Sequence, residues 1–141
     1  MYLLDTNILT HYVSGHPTLR AHLKQVPWIE IALPSVVVAE SLRGRCEYAL
    51  KAPPGQAAAA HALLQETQEL LRQFQMVVFD QPSATMLAQL QKKRGGSKRY
   101  ADMMIAAMAL AGGHIVVTRN KQHFADLPPP NQIANWIDDP A

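Results

Sequence analysis

One cysteine, Cys46, is the whole complement of thiols in these 141 residues. A lone thiol forms no internal disulfide and builds no cysteine-based zinc site, so a reducing cytosol is expected. Long apolar runs are missing as well: none approaches the roughly 18 residues of a membrane span. The amino terminus reaches the charged Asp5 before any signal-like stretch can form. The expectation is a soluble, cytoplasmic protein with no membrane partner. Excess charge is small, 13 basic against 11 acidic residues for a net +2, so the position of the basic residues says more than their sum. The six histidines form no His-Glu-x-x-His zinc pattern. The segment Gly95-Gly96-Ser97-Lys98 lacks the glycine spacing of a phosphate-binding loop and follows a helical pattern instead of a strand, so it reads as a turn and a cap. No internal repeat is present.

What remains is a chain that is 48% hydrophobic, long enough for one core and too short for two ordinary domains, so residues 1–141 read as a single domain. Short apolar runs at Tyr2 to Leu4, Trp28 to Leu33, Met76 to Phe79 and His114 to Val117, with a weaker one at Ile133 to Trp136, predict strands. Helical patterns separate most of them, over His16 to Gln25, Ser35 to Leu50, Gln56 to Phe74, Ser83 to Arg94 and Ser97 to Ala111. Strands alternating with helices imply crossovers and a mainly parallel sheet covered on both faces, a three-layer α/β/α sandwich. Pro34 falls where a helix begins, Gly112-Gly113 closes the last long one with Ser97 as its cap, and Pro128-Pro129-Pro130 is a stiff connector before the final strand.

Three carboxylates stand in unusual surroundings. Asp5 ends the first apolar run and opens Asp5-Thr6-Asn7, at the place where open α/β sheets bind ligands, although a helix cap or an Asx-turn uses the same tripeptide. Asp102 is the only charge in the segment Ala101 to Ala111. A helix so apolar is buried, and a carboxylate in it needs a cation, hydrogen-bond donors or a cleft; an Asp serving only the helix dipole is the plainer alternative. Glu40 has Val36 and Val37 behind it on its helix face and Arg43 ahead, where surface pairing with Arg43 is the ordinary role. Should the three converge, carboxylates about 5 Å apart repel by roughly 3 kcal/mol per pair at an effective dielectric near 20. Such a cluster calls for a divalent cation, and oxygen-only ligands point to Mg²⁺ or Mn²⁺. The chemistry implied is phosphodiester hydrolysis. A phosphatase with an aspartyl nucleophile fits less well, because it wants a second acid two residues on, where this chain has Asn7.

The motifs Leu4-Asp5-Thr6-Asn7, Val37-Val38-Ala39-Glu40, Tyr100-Ala101-Asp102-x-x-Ile105-Ala106-Ala107, Val117-Thr118-Arg119-Asn120 with His123-Phe124, and the closing Asn135-Trp136 occur in that order. Together they resemble PIN-domain nucleases, and within them the VapC toxin group of type II toxin–antitoxin systems. The resemblance implies a PIN-like fold, endoribonuclease activity dependent on Mg²⁺ or Mn²⁺, dimerisation, and inhibition by a small antitoxin protein. It places the metal on Asp5, Glu40 and Asp102 and gives Thr6 a supporting role. At the fourth polar position, where many members carry a further Asp, this chain has Asn120 and then His123, so one metal is expected instead of two. Basic residues frame the site, and Arg43, Arg99, Thr118 and Arg119 are expected to contact the RNA, while His123 either positions substrate or packs its loop. With 6% aromatics, a folded RNA or exposed loop suits the chain better than a long single-strand channel. The alternative is a catalytically inactive PIN-like module that binds RNA or antitoxin, but a surface for phosphate gains nothing from clustered negative charge.

Overall fold

The computed structural model describes residues 1–94, 99–124, 127 and 129–141. Among them five strands, β1 (Tyr2–Leu4), β2 (Ile31–Pro34), β3 (Gln75–Val77), β4 (Ile115–Val117) and β5 (Ile133–Ala134), form one sheet in the order β3-β2-β1-β4-β5. Every pairing is parallel. Among the described residues six α-helices flank it: α1 (Thr6–Ser14), α2 (Pro17–Lys24), α3 (Ser35–Lys51), α4 (Pro54–Arg72), α5 (Gln81–Arg94) and α6 (Tyr100–Gly112). The result is a three-layer α/β/α sandwich. Parallel strands need crossover connections, and burial on both faces explains why the central strands are continuous apolar runs. Leu3, Leu4, Ile31, Ala32, Leu33, Val116 and Val117 are all 0–1% exposed.

The strand order places the site. The chain builds outward from β1 through β2 to β3, then returns to lay β4 on the other side of β1. Beyond the carboxyl ends of β1 and β4 the connections diverge, leaving the crevice in which such sheets bind ligands. The ladder continues past both strand ends: the Asp5 N–H donates to the Val117 carbonyl at 3.1 Å, and the Thr118 N–H to the Ala134 carbonyl at 2.9 Å. Both residues are therefore fixed by sheet geometry before any side chain is considered.

Asp5 also begins α1, a helix that the periodicity did not predict. Its carboxylate accepts the Ile8 N–H at 3.1 Å, and Gly15 ends the helix in the left-handed region at φ 75°. The strand expected from Trp28 starts only at Ile31, because Trp28–Glu30 form a 3₁₀ turn and the Trp28 indole N–H donates to the Gln73 carbonyl at 3.1 Å. α4 and α5 start two residues earlier than expected, at Pro54 and Gln81. α6 matches its expected helix from Tyr100 onward, while the Gly95-Gly96 break, the Ser97 cap and Pro128 lie outside the described residues. In α6, Met103, Ile105, Ala106, Ala107, Met108 and Ala109 are buried, so its small residues let it lie close to its neighbours. No helix among the described residues is long and apolar enough to cross a membrane.

Candidate active site

Asp5, Glu40 and Asp102 come from three separate elements and line one pocket of about 210 Å³. Asp5 reaches it from the end of β1, Glu40 from the middle of α3, and Asp102 from the first turn of α6. Thr6, Asn7, Arg99, Asn120 and His123 complete the polar wall, with Ile105 as an apolar contribution. A larger cavity of about 440 Å³ lies between α1, α3 and α4. It shares Thr6 but is lined mainly by residues such as Leu9, Val13, Leu70 and Leu71, with no carboxylate. Chemistry, not size, makes the smaller pocket the candidate site.

Asp5 is only 7% exposed. Burial pushes its carboxyl above the ordinary value of 3.8; the Thr118 hydroxyl and the Ile8 and Asn7 N–H groups pull it back, and the neighbouring Asp102 charge pushes it further up. The Asp102 carboxyl is likewise raised by burial, against the opposing pull of His123 and Arg99. A buried carboxylate, Asp5, thus faces the charge of a partly buried one, Asp102. Glu40 accepts a hydrogen bond from the Thr6 hydroxyl at 3.3 Å, and among the described residues no ion pair joins it to Arg43.

Thr118 is fully buried beneath the pocket. Its hydroxyl accepts the Asn120 N–H at 3.0 Å and pulls the Asp5 carboxyl down, so it acts on two residues of the pocket from below and has no surface left for a substrate. Arg119 turns away: its Nε and Nη2 form a two-pronged pair with Asp138, each at 3.1 Å. Arg43 is exposed on α3 and does not line the pocket. Of the four side chains expected to meet RNA, only Arg99 is in the wall. His123 joins it there, with Nδ1 3.3 Å from Asp102 Oδ2 and 3.0 Å from Arg99 Nη1. Asn7, which carried no expected role in the site, enters through α1: a cap at Asp5 followed by a helix would have put it beside Asp5.

Among the described residues no three Asp, Glu, His or Cys side chains form a ready-made cage for a metal ion. A closed cage is the habit of structural zinc; Mg²⁺ is held by one or two carboxylates and keeps most of its waters. Carboxylate oxygens suit a hard divalent cation of that kind, which would offset the burial that raises Asp5 and Asp102, and Asp5, Asp102 and Glu40 are the groups that would hold it.

A protein-family model described as the PIN domain matches residues 2–128. No curated protein matches the chain. Among solved structures, the fold is similar to FitAcB from Neisseria gonorrhoeae, with 28% identity, 99% of this chain and 100% of that chain covered, and a TM-score of 0.71. It is also similar to DNA-bound VapBC from Salmonella typhimurium, at 23% identity, 96% and 97% coverage and a TM-score of 0.73. A toxin–antitoxin complex from Klebsiella pneumoniae gives 23% identity, 96% and 98% coverage and a TM-score of 0.68. With the family model spanning residues 2–128 of the 141, the chain belongs to the PIN-domain family, to which the VapC nuclease toxins also belong.

Proposed function

We propose that this protein is a metal-dependent endoribonuclease and the toxin of a toxin–antitoxin pair. The observation that carries the reading is the convergence of Asp5, Glu40 and Asp102 on one pocket at the switch point of a parallel sheet. Mg²⁺ or Mn²⁺ held by these carboxylates would supply positive charge for the phosphoryl oxygens of a phosphodiester under attack by water. The chain's own groups do the rest. The Thr6 hydroxyl fixes Glu40, and Thr118 fixes Asp5 from beneath. Arg99 presents a guanidinium at the wall, where it can hold a backbone phosphate. The Asn120 side chain also lines the wall and offers an amide donor and acceptor without adding charge.

RNA as the substrate follows from the VapC-like motifs. The antitoxin partner is supported by the similarity to the toxin–antitoxin complex from Klebsiella pneumoniae, which spans almost the whole chain. Glu40 mutation in cells tests activity and toxicity together. Induced expression of the wild-type chain in a bacterial host should arrest growth and fragment RNA, and Glu40→Gln should do neither at the same protein level. Equal arrest by both would refute the reading.

A further inference from the structure

His123 approaches the pocket from the loop after β4, while Arg99 immediately precedes α6 and Asp102 lies in its first turn. One ring nitrogen, Nδ1, links these two parts of the wall, 3.3 Å from Asp102 Oδ2 and 3.0 Å from Arg99 Nη1. The contact is sheltered: the His123 side chain is 19% exposed and that of Asp102 26%. A carboxylate only accepts and a guanidinium only donates, so Nδ1 serves one of them at a time, as donor to Asp102 or as acceptor from Arg99. In the first role it engages one Asp102 oxygen and leaves the other for a cation.

The charges around the pocket point the same way. Among the described residues that line it, Asp5, Glu40 and Asp102 stand with one guanidinium, Arg99, an amide, Asn120, and an imidazole, His123. Ionised, these described groups carry a net charge of about two negatives, which one divalent ion balances and a second would overshoot.

We propose that His123 is a positioning residue that orients Asp102 for a cation, and that the pocket takes a single divalent ion. The inference rests on the metal-dependent reading above. A side chain that orients a metal ligand typically changes metal affinity by about 10–100-fold when removed. Mutation at position 123 therefore acts on the ion before it acts on RNA.

The test is calorimetric titration of the antitoxin-free protein with Mn²⁺, without RNA, on the wild type, His123→Ala and His123→Asn, with circular dichroism melts to confirm that each is folded. The Asn amide can place a donor near the position of ring Nδ1. The wild type should bind one Mn²⁺ per chain, His123→Ala should bind at least about 10-fold more weakly, and His123→Asn should recover most of that loss. Two ions per wild-type chain, or unchanged affinity in a folded His123→Ala, would overturn the inference while leaving a metal-dependent nuclease in place. No Mn²⁺ binding by a folded, RNA-cutting wild type would overturn the metal reading itself and this inference with it.

Discussion

The Thr118 hydroxyl holds the Asp5 carboxyl down against the effect of burial, at the ends of the two central strands β1 and β4 under the pocket. Both residues are buried, Thr118 at 0% and Asp5 at 7% exposure. Thr118→Val keeps the shape and removes the donor, and it also strips the Asn120 N–H of its acceptor. Leaving buried polar groups without partners costs about 1–3 kcal/mol. Urea unfolding should show a loss of that size for Thr118→Val and little change for Thr118→Ser. Equal stability of the Val variant would show that the hydroxyl does not support Asp5.

Asp5 itself should weaken the ion-free protein. Its folded carboxyl is raised above the ordinary 3.8 by burial, so between those two values the folded state holds a proton that the unfolded state has released. Stability from this group therefore falls as pH rises through that window, and the full cost is present above it. Asp5→Asn removes the charge and keeps a capping side chain for α1. In EDTA near neutral pH, Asp5→Asn should melt higher than the wild type, and the gap should close below about pH 3.8. Saturating Mn²⁺ should narrow the gap at neutral pH, since an ion bound at 100 times its Kd stabilises the wild type by about 2.7 kcal/mol.

Asp80 works in the opposite sense. It accepts the Ser83 N–H and hydroxyl at 3.0 and 2.7 Å at the start of α5, and these bonds hold its carboxyl below 3.8. A depressed carboxyl stabilises the fold above the unfolded value and loses that contribution as pH falls through the folded one. Asp80→Ala should lower the melting temperature at neutral pH and make no difference in strong acid. Melts at pH 7 and pH 2 decide it.

Most of the architecture could be read from the chain because β1, β2 and β4 are apolar runs and α6 is apolar on nearly every face. α1 could not. Its sequence from Thr6 to Ser14 contains β-branched Thr6, Ile8, Thr10 and Val13, which are modest helix formers; its ends are set by Asp5 and Gly15, and its burial by Ile8 and Leu9. The apolar run at Trp28 misled for a similar reason: the indole is held by a carbonyl at Gln73, far along the chain. α6 also carries a stability prediction. Ala107 is 0% exposed, so Ala107→Leu should cost about 1–3 kcal/mol by overpacking, read from urea unfolding.

For the site, the three carboxylates were legible because each breaks the pattern of its own element. The roles of the residues after β4 were not. A Thr at a strand end looks alike whether it faces solvent or a carboxylate beneath, and Thr118 faces Asp5. Arg119 looked like a phosphate contact until the fold brought Asp138 within 3.1 Å of it. His123 meets Asp102 and Arg99 because α6 packs on β4, which sets the start of the helix beside the loop after the strand.

The central claim, that Asp5 and Asp102 serve hydrolysis of RNA, is tested most directly by incubating total cellular RNA with the purified, antitoxin-free protein in Mg²⁺ or Mn²⁺. EDTA, Asp5→Asn and Asp102→Asn serve as controls, and the fragment ends are mapped. The account predicts discrete fragments that require the metal and disappear in both folded variants. Full cutting by either variant, or RNA bound and left intact by the wild type, would contradict it.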